Sequence, residues 1–220
     1  MPRKRKVSNL MGLAVLSTLA AGPAHRYEIA ARMRSWGKEH DMGVKWGSLY
    51  TVVDNLAKHG YVEVAGSERD GARPERTIYR ITESGQAEMN DWTRELLSSP
   101  EPEQRRFMAG LSILMVLPPD EVADLLAQRI TRLDNTIERT RAELATFEGT
   151  LSHLFLVEQD YELAMLEAEA AWARTLHTSL LDGTFPDLQA WRDWHQGIVP
   201  PEQITASTEG GTDRSQQRPD

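Results

Sequence analysis

The first half of the chain is organised by two hydrophobic periods. Leu10, Leu13, Ala14, Leu16 and Ser17 recur at helical spacing and the run stops at Gly22-Pro23, which predicts a first helix. In HRYEIAARMRSWG, Ile29, Met33 and Trp36 define a second helix that Gly37 closes, and Gly43 to Gly47 is a connecting turn. WGSLYTVVDNLAKHGYV, residues 46 to 62, predicts a third, with Ser48 as N-cap, Leu49, Val52, Val53 and Leu56 as its apolar stripe and Gly60 as its stop. Beyond Gly60 the period drops to two. YVEVAG and TIYRIT are short alternating segments joined by SERDGARPER, a two-stranded hairpin with a long polar tip. Thr82 then caps a fourth helix that runs through Met89, Trp92 and Leu96 to Ser98.

The second half has one long repeat. After the break SSPEPE and the apolar segment FMAGLSILMVL, Ala123, Leu126, Ile130, Leu133, Ile137, Thr140, Leu144, Phe147, Leu151 and Leu154 are spaced alternately by three and four residues. A second long helix, about Glu158 to Leu181, carries Tyr161, Met165, Ala168 and Trp172 at similar spacing. Two such helices joined near Gly149 can form an antiparallel pair within one chain, and any uncovered stripe needs a second chain. The reading that uses both has a hairpin in each chain, with Leu126, Ile130, Leu133, Ile137 and Leu144 as dimerisation residues. A short aromatic helix, LQAWRDWHQ, follows Pro186, and the polar stretch from about Pro200 has no core.

The expected class is therefore mainly α, with an α+β N-terminal domain. Its plan is a winged helix-turn-helix at 1–97, a linker at 98–103, a helical, coiled-coil-like dimerisation domain at 104–197 and a disordered tail at 198–220.

Charge adds a distinction between the halves. The whole chain has a net charge of -8, but residues 1–97 carry 15 Lys+Arg against 12 Asp+Glu, so the acid belongs to the second half. One module is thus suited to face a polyanion and the other is not. The absence of cysteine removes disulfides, thiolate metal sites and cysteine nucleophiles, and favours a reducing, cytoplasmic setting. MPRKRK followed by LMGLAVLSTLAA has the outline of a secretory signal, yet Leu10 to Ala20 is needed to complete the three-helix module. No stretch reaches the roughly 20 apolar residues of a membrane span.

GPAHRYEIAARM, GSLYTVVDNLAKHGYV and RPERTIYRITESG resemble, in order and separation, the motifs of PadR-type transcriptional regulators. The resemblance covers residues 10–97. Over 104–195 only the architecture is similar, and Arg26 stands where the family often has glycine. It implies sequence-specific binding of double-stranded DNA by a homodimer, usually on a palindromic operator. It also implies repression relieved by a small aromatic or hydrophobic molecule.

On that pattern Ser48, Tyr50, Thr51 and Asn55 are candidates for phosphate or base contacts, with Lys58 near the backbone. Arg69, Arg73 and Arg76 of the hairpin tip are candidates for phosphate or minor-groove contacts, although a mixed-charge solvated loop explains them too. The cluster Arg3, Lys4, Arg5 and Lys6 is a DNA-reaching arm, a targeting remnant or solubilising charge.

No catalytic motif competes with this reading. The six histidines, at 25, 40, 59, 153, 177 and 195, include no HExxH pattern and no pair four residues apart, and no phosphate-cradling glycine loop is present. The chain is not expected to be an enzyme or to hold a metal or cofactor. A ligand pocket is undetermined: Trp92, Phe107, Met108, Met115, Phe155, Trp172, Trp191 and Trp194 could line an aromatic cavity, but core packing is the default for each. The alternative class is a winged-helix interaction module that binds protein rather than specific DNA.

Overall fold

Helix α1, Leu10–Ala20, is buried almost all round, with Met11, Leu13, Ala14, Val15, Leu16 and Leu19 inside the core. A helix apolar on every side belongs at the centre of a domain. The segment with the outline of a signal is therefore core. Asn9 starts it, its side chain accepting from the Met11 N–H at 2.9 Å.

The computed structural model describes residues 5–38, 42–68, 76–100 and 106–200. It divides into two compact units, residues 1–103 and 104–220. Residues 201–220 of the tail expected at 198–220, and the residues of the hairpin tip from 69 to 75, lie outside the described residues.

In the first unit α2, Arg26–Ser35, and α3, Leu49–Lys58, pack against α1. Helix α2 buries Ile29, Ala30 and Met33, while α3 buries Leu49, Val52, Val53 and Leu56. The entry to α3 differs from expectation. The chain reaches it through a 3-10 turn, Trp46–Ser48, so the Ser48 backbone is already helical and its side chain caps nothing. Its hydroxyl instead donates to the Lys45 carbonyl at 2.8 Å.

The sheet has three strands rather than two. Strands β1, Ala24–His25, β2, Val62–Glu68, and β3, Arg76–Ile81, run antiparallel in the order β1-β3-β2, with Ala24 opposite Tyr79 and His25 opposite Ile78. A two-residue strand has no period to read.

Helix α4, Glu83–Ser98, is tied to the end of α3. Thr82 caps it, accepting from the Gly85 N–H at 3.0 Å, and the Thr82 and Ser84 hydroxyls donate to the Gly60 carbonyl at 2.6 and 2.8 Å. Gly85 lies against this joint so tightly that a Cβ there would stand 2.0 Å from the Tyr61 carbonyl oxygen. The exit from α3, the first wing strand and the start of α4 thus share one rigid corner.

Arg5 is fixed to the same helix. It pairs with Glu88 at 2.7 Å and with Glu95, and its guanidinium lies 5.2 Å over the Trp92 ring. Burial opposes its charge, but the bonds to Glu88 and Glu95 outweigh this and raise its affinity for the proton. Of the basic N-terminal cluster, Arg5 is therefore a staple and not part of a free arm.

The second unit contains α5, Arg106–Ser112, a 3-10 turn at Leu114–Val116, α6, Pro119–Thr146, α7, Val157–Leu181, and α8, Leu188–His195. Pro119 opens α6 with Asp120 and Glu121 in its first turn, the residue types that suit a positive helix end. The predicted repeat ends early: α6 stops at Thr146, Gly149 takes φ of +73°, and Leu151 and Leu154 are exposed in the connection to α7.

Helices α6 and α7 pair along their length. Leu126 packs in a cluster with Ala173 and Leu180, and Leu133 and Ile137 pack with Ala170. The stripe of α6 is thus spent largely within the chain, where alanines on α7 permit close approach. The inward stripe of α7 is not the expected one. Leu163, Leu166, Ala170, Ala173 and Leu180 face α6, whereas Tyr161 and Trp172 are exposed. Both phases have helical spacing, and the small residues won because they let the backbones approach.

Helix α8 closes one end of the pair. Trp191 is buried and its Nε1–H donates to the Leu117 carbonyl at 3.0 Å, while Arg192 pairs with Asp120 at 2.9 Å. Trp191, a candidate pocket residue in the sequence, is core, and so is Trp92 in the first unit.

Candidate nucleic-acid interface

With Leu49, Val52, Val53 and Leu56 turned inward, the remaining side of α3 is exposed. It presents Tyr50, Thr51, Asp54, Asn55 and Lys58. Tyr50 is 54% exposed, which rules out a core role for most of its ring. Thr51 and Asn55 are four residues apart, as are Tyr50 and Asp54, so each pair lies one above the other on the helix. Ser48 stands apart from them, half-buried, its hydroxyl committed to Lys45.

Beside this face the N-terminus of α2 and the start of β3 form an open cavity of about 470 Å³, bordered by His25, Tyr27, Tyr50, Arg76 and Thr77. His25 caps α2, its Nδ1 accepting from the Glu28 N–H at 3.1 Å. In the neutral ring the proton then sits on Nε2, and Nε2 lies 3.4 Å from Arg76 Nη1, itself a donor. Two neighbouring donors suit an anionic oxygen that accepts from both from the open side of the cavity. The positive end of α2 adds to that preference.

Arg26 joins the two halves of the face. It pairs with Asp54 on α3, donates to the Tyr79 hydroxyl on β3 at 2.8 Å, and lies 5.2 Å over the rings of both Tyr50 and Tyr79. His25, Arg26 and Asp54 were not among the DNA-contact candidates read from the sequence. The signal for Asp54 was its position four residues after Tyr50. Arg26 and His25 gave none, because their partners come from α3 and β3. Of the predicted wing arginines, Arg76 belongs to this cluster, and Arg69 and Arg73 lie outside the described residues.

Among the described residues there is no group of three or more His, Asp or Glu side chains that could hold a metal ion. None of the described helices is long and apolar enough to cross a membrane.

Three helices, the third amphipathic with a polar outer face, followed by a β-hairpin and a further helix, have the plan of a winged helix-turn-helix domain. Residues 15–91 match the model of the Transcriptional regulator PadR-like family. It is 24% identical over 145 residues to the Negative transcriptional regulator PadR of Bacillus subtilis, a match that takes in 64% of this chain and 72% of the relative. The crystal structure of Bacillus subtilis PadR in complex with operator DNA has a similar fold, with a TM-score of 0.63 at 18% identity over 78% of this chain and 99% of that one. That of the same protein in complex with p-coumaric acid gives a TM-score of 0.65 at 16% identity, over 78% and 98% of the two chains.

Proposed function

We propose that the protein is a cytoplasmic, homodimeric regulator that binds a palindromic DNA operator and represses transcription until a small aromatic or hydrophobic molecule releases it. The observation that carries this is the division of α3. Its apolar face is wholly committed to the core while Tyr50, Thr51, Asn55 and Lys58 stand outward together. A helix so divided fits the major groove, where every base pair offers a distinct pattern of donors and acceptors. The cavity between His25 and Arg76 suits a backbone phosphate, which sets register without reading sequence. Arg69 and Arg73 would extend that contact from the wing.

Two features of the helical unit support the remainder. The outward stripe of α7 exposes Tyr161 and Trp172, apolar surface that a second copy would cover. An open groove of about 500 Å³ runs between α5 and α6, lined by Phe107, Leu117, Leu126, Arg129 and Arg132, with the size and apolar walls of a small-molecule site and cations at its rim. The Arg132 side chain has no ion pair among the described residues and is available to a carboxylate.

The test is binding of the full chain to duplexes selected from a random pool, compared with unselected DNA at moderate salt. Tyr50→Ala with Asn55→Ala is expected to weaken binding to the selected duplex by about a hundredfold, as two base or phosphate contacts of ordinary strength would, with the oligomer unchanged. Equal binding to selected and unselected duplexes by the unaltered protein would end the reading. Release of the selected duplex by p-coumaric acid or a related aromatic acid tests the effector.

A further inference from the structure

We propose that Asp54 is a base-reading acceptor, aimed and neutralised by Arg26, so that each operator half-site places a cytosine amino group against it. The inference rests on the reading of α3 as the recognition helix.

Asp54 sits in the middle of the outward face, between Tyr50 one turn before it and Lys58 one turn after, with Asn55 beside it. Its side chain is 61% exposed. A bare carboxylate in that place would repel the phosphates that the rest of the face has to approach. Arg26 removes the difficulty by pairing with Asp54 Oδ1, so the helix presents an acceptor with little net charge.

The placement of Arg26 shows that this pairing is a built feature. It is the first residue of α2, where the positive helix end disfavours a cation. Its Nε is buried without a hydrogen-bond partner among the described residues. Both costs are offset by contacts in the direction of α3 and the wing: the Asp54 pair, the Tyr79 hydroxyl, and the Tyr50 and Tyr79 rings on which the guanidinium stacks. Held from two sides, the guanidinium cannot swing away with Asp54. It fixes the carboxylate, and with it Tyr50, before any DNA arrives.

The pair uses Oδ1 alone. Asp54 Oδ2 has no hydrogen bond among the described residues, and on an exposed helix face it points a lone acceptor at whatever docks there. Ionised carboxylates accept and never donate, so the complement is an exocyclic amine. In the major groove, cytosine N4 is the donor that aspartate and glutamate read. A salt bridge made for stability alone would explain Oδ1 but would be better placed away from the DNA-facing surface.

The experiment compares the unaltered full-length protein with Asp54→Ala, Asp54→Asn and Arg26→Ala. Each is used to select from a randomised duplex pool and is then titrated with single-base-pair variants of the selected site. The unaltered protein is expected to require a C·G pair at one position per half-site, with about tenfold loss on its replacement. Asp54→Ala abolishes that requirement and leaves the others, and on unselected duplex at low salt it binds at least as tightly as the unaltered protein, because the Arg26 charge is no longer neutralised. Asp54→Asn, nearly the same shape, moves the preference at that position toward A·T, since asparagine pairs with adenine N6 and N7. Arg26→Ala flattens the same position.

If Asp54→Ala and Asp54→Asn keep the original preference at every position, Asp54 is scaffold and the proposal is overturned while the regulator reading stands. If the unaltered protein selects no sequence at all, the regulator reading falls and the proposal with it.

Discussion

Met11, Leu16, Ile29, Met33 and Leu56 in the N-terminal unit are 1% exposed or less, whereas in the helical unit Ile113, Phe155 and Leu154 are 59, 62 and 74% exposed. The first unit closes its own core around α1. The second packs α6 on α7 through Leu126, Leu133, Ile137 and a set of alanines, and leaves aromatic and branched side chains on its surface. A DNA-reading module has to be rigid before it meets DNA, because a misplaced outer face cannot be corrected on binding. A dimerisation module has to keep apolar area in reserve, since that area is what associates. The two burial patterns fit the proposed division into a DNA-reading unit and a dimerising unit.

A charge in the smaller core is the strongest way to separate the units. Ile137 is 5% exposed against Ala170, and Ile137→Asp places a carboxylate where no cation is paired with it. The helical unit is expected to lose about 4 kcal/mol and its association, while hydrogen exchange in α1 and α3 stays protected. Retention of a folded dimer would show that this stripe is not the core of the unit.

The converse change is Gly85→Ala. The new methyl would meet the Tyr61 carbonyl 2.0 Å away, a backbone atom that can move only if α4 moves. The N-terminal unit is expected to lose about 2 to 3 kcal/mol. Because the same corner sets the exit of α3 through Gly60, DNA affinity should fall with it, while the oligomer measured by sedimentation stays unchanged. A melting profile identical to that of the unaltered protein would mean that the corner is looser than the close approach implies.

The first unit was the more legible in sequence for the same reason that it is more closed. Helix α1 is apolar all round and can only be central, and α3 has one well-defined apolar stripe whose residues have only one place to go. The α3 stripe and the Thr82 cap could be read from spacing and residue type alone. What escaped was what spacing does not encode. Strand β1 is two residues long, and Ser48 was drawn into a 3-10 turn. In the second unit α7 carries two stripes at helical spacing, and only packing could choose between Tyr161–Trp172 and Leu163–Ala173. At the candidate interface the outward residues of α3 follow as the complement of its stripe. The Arg26–Asp54 pair spans 28 residues of sequence and joins different elements, so no local pattern announces it.

The smallest expected effect bears on how the N-terminal unit divides its labour. Lys58 is exposed in the last turn of α3, where a cation suits the negative helix end and where the helix would leave the groove beside the sugar-phosphate backbone. Lys58→Gln removes the charge but keeps length and a donor. If Lys58 serves only as a phosphate contact, affinity for selected and unselected duplexes falls by the same small factor, about threefold to tenfold at moderate salt, and base preferences do not change. The plot of log affinity against log salt should become shallower by about one. A variant that binds unselected DNA normally but tolerates a new base pair in the selected site would put Lys58 among the base readers, and the boundary between the positioning and reading parts of α3 would then move one turn toward its C-terminus.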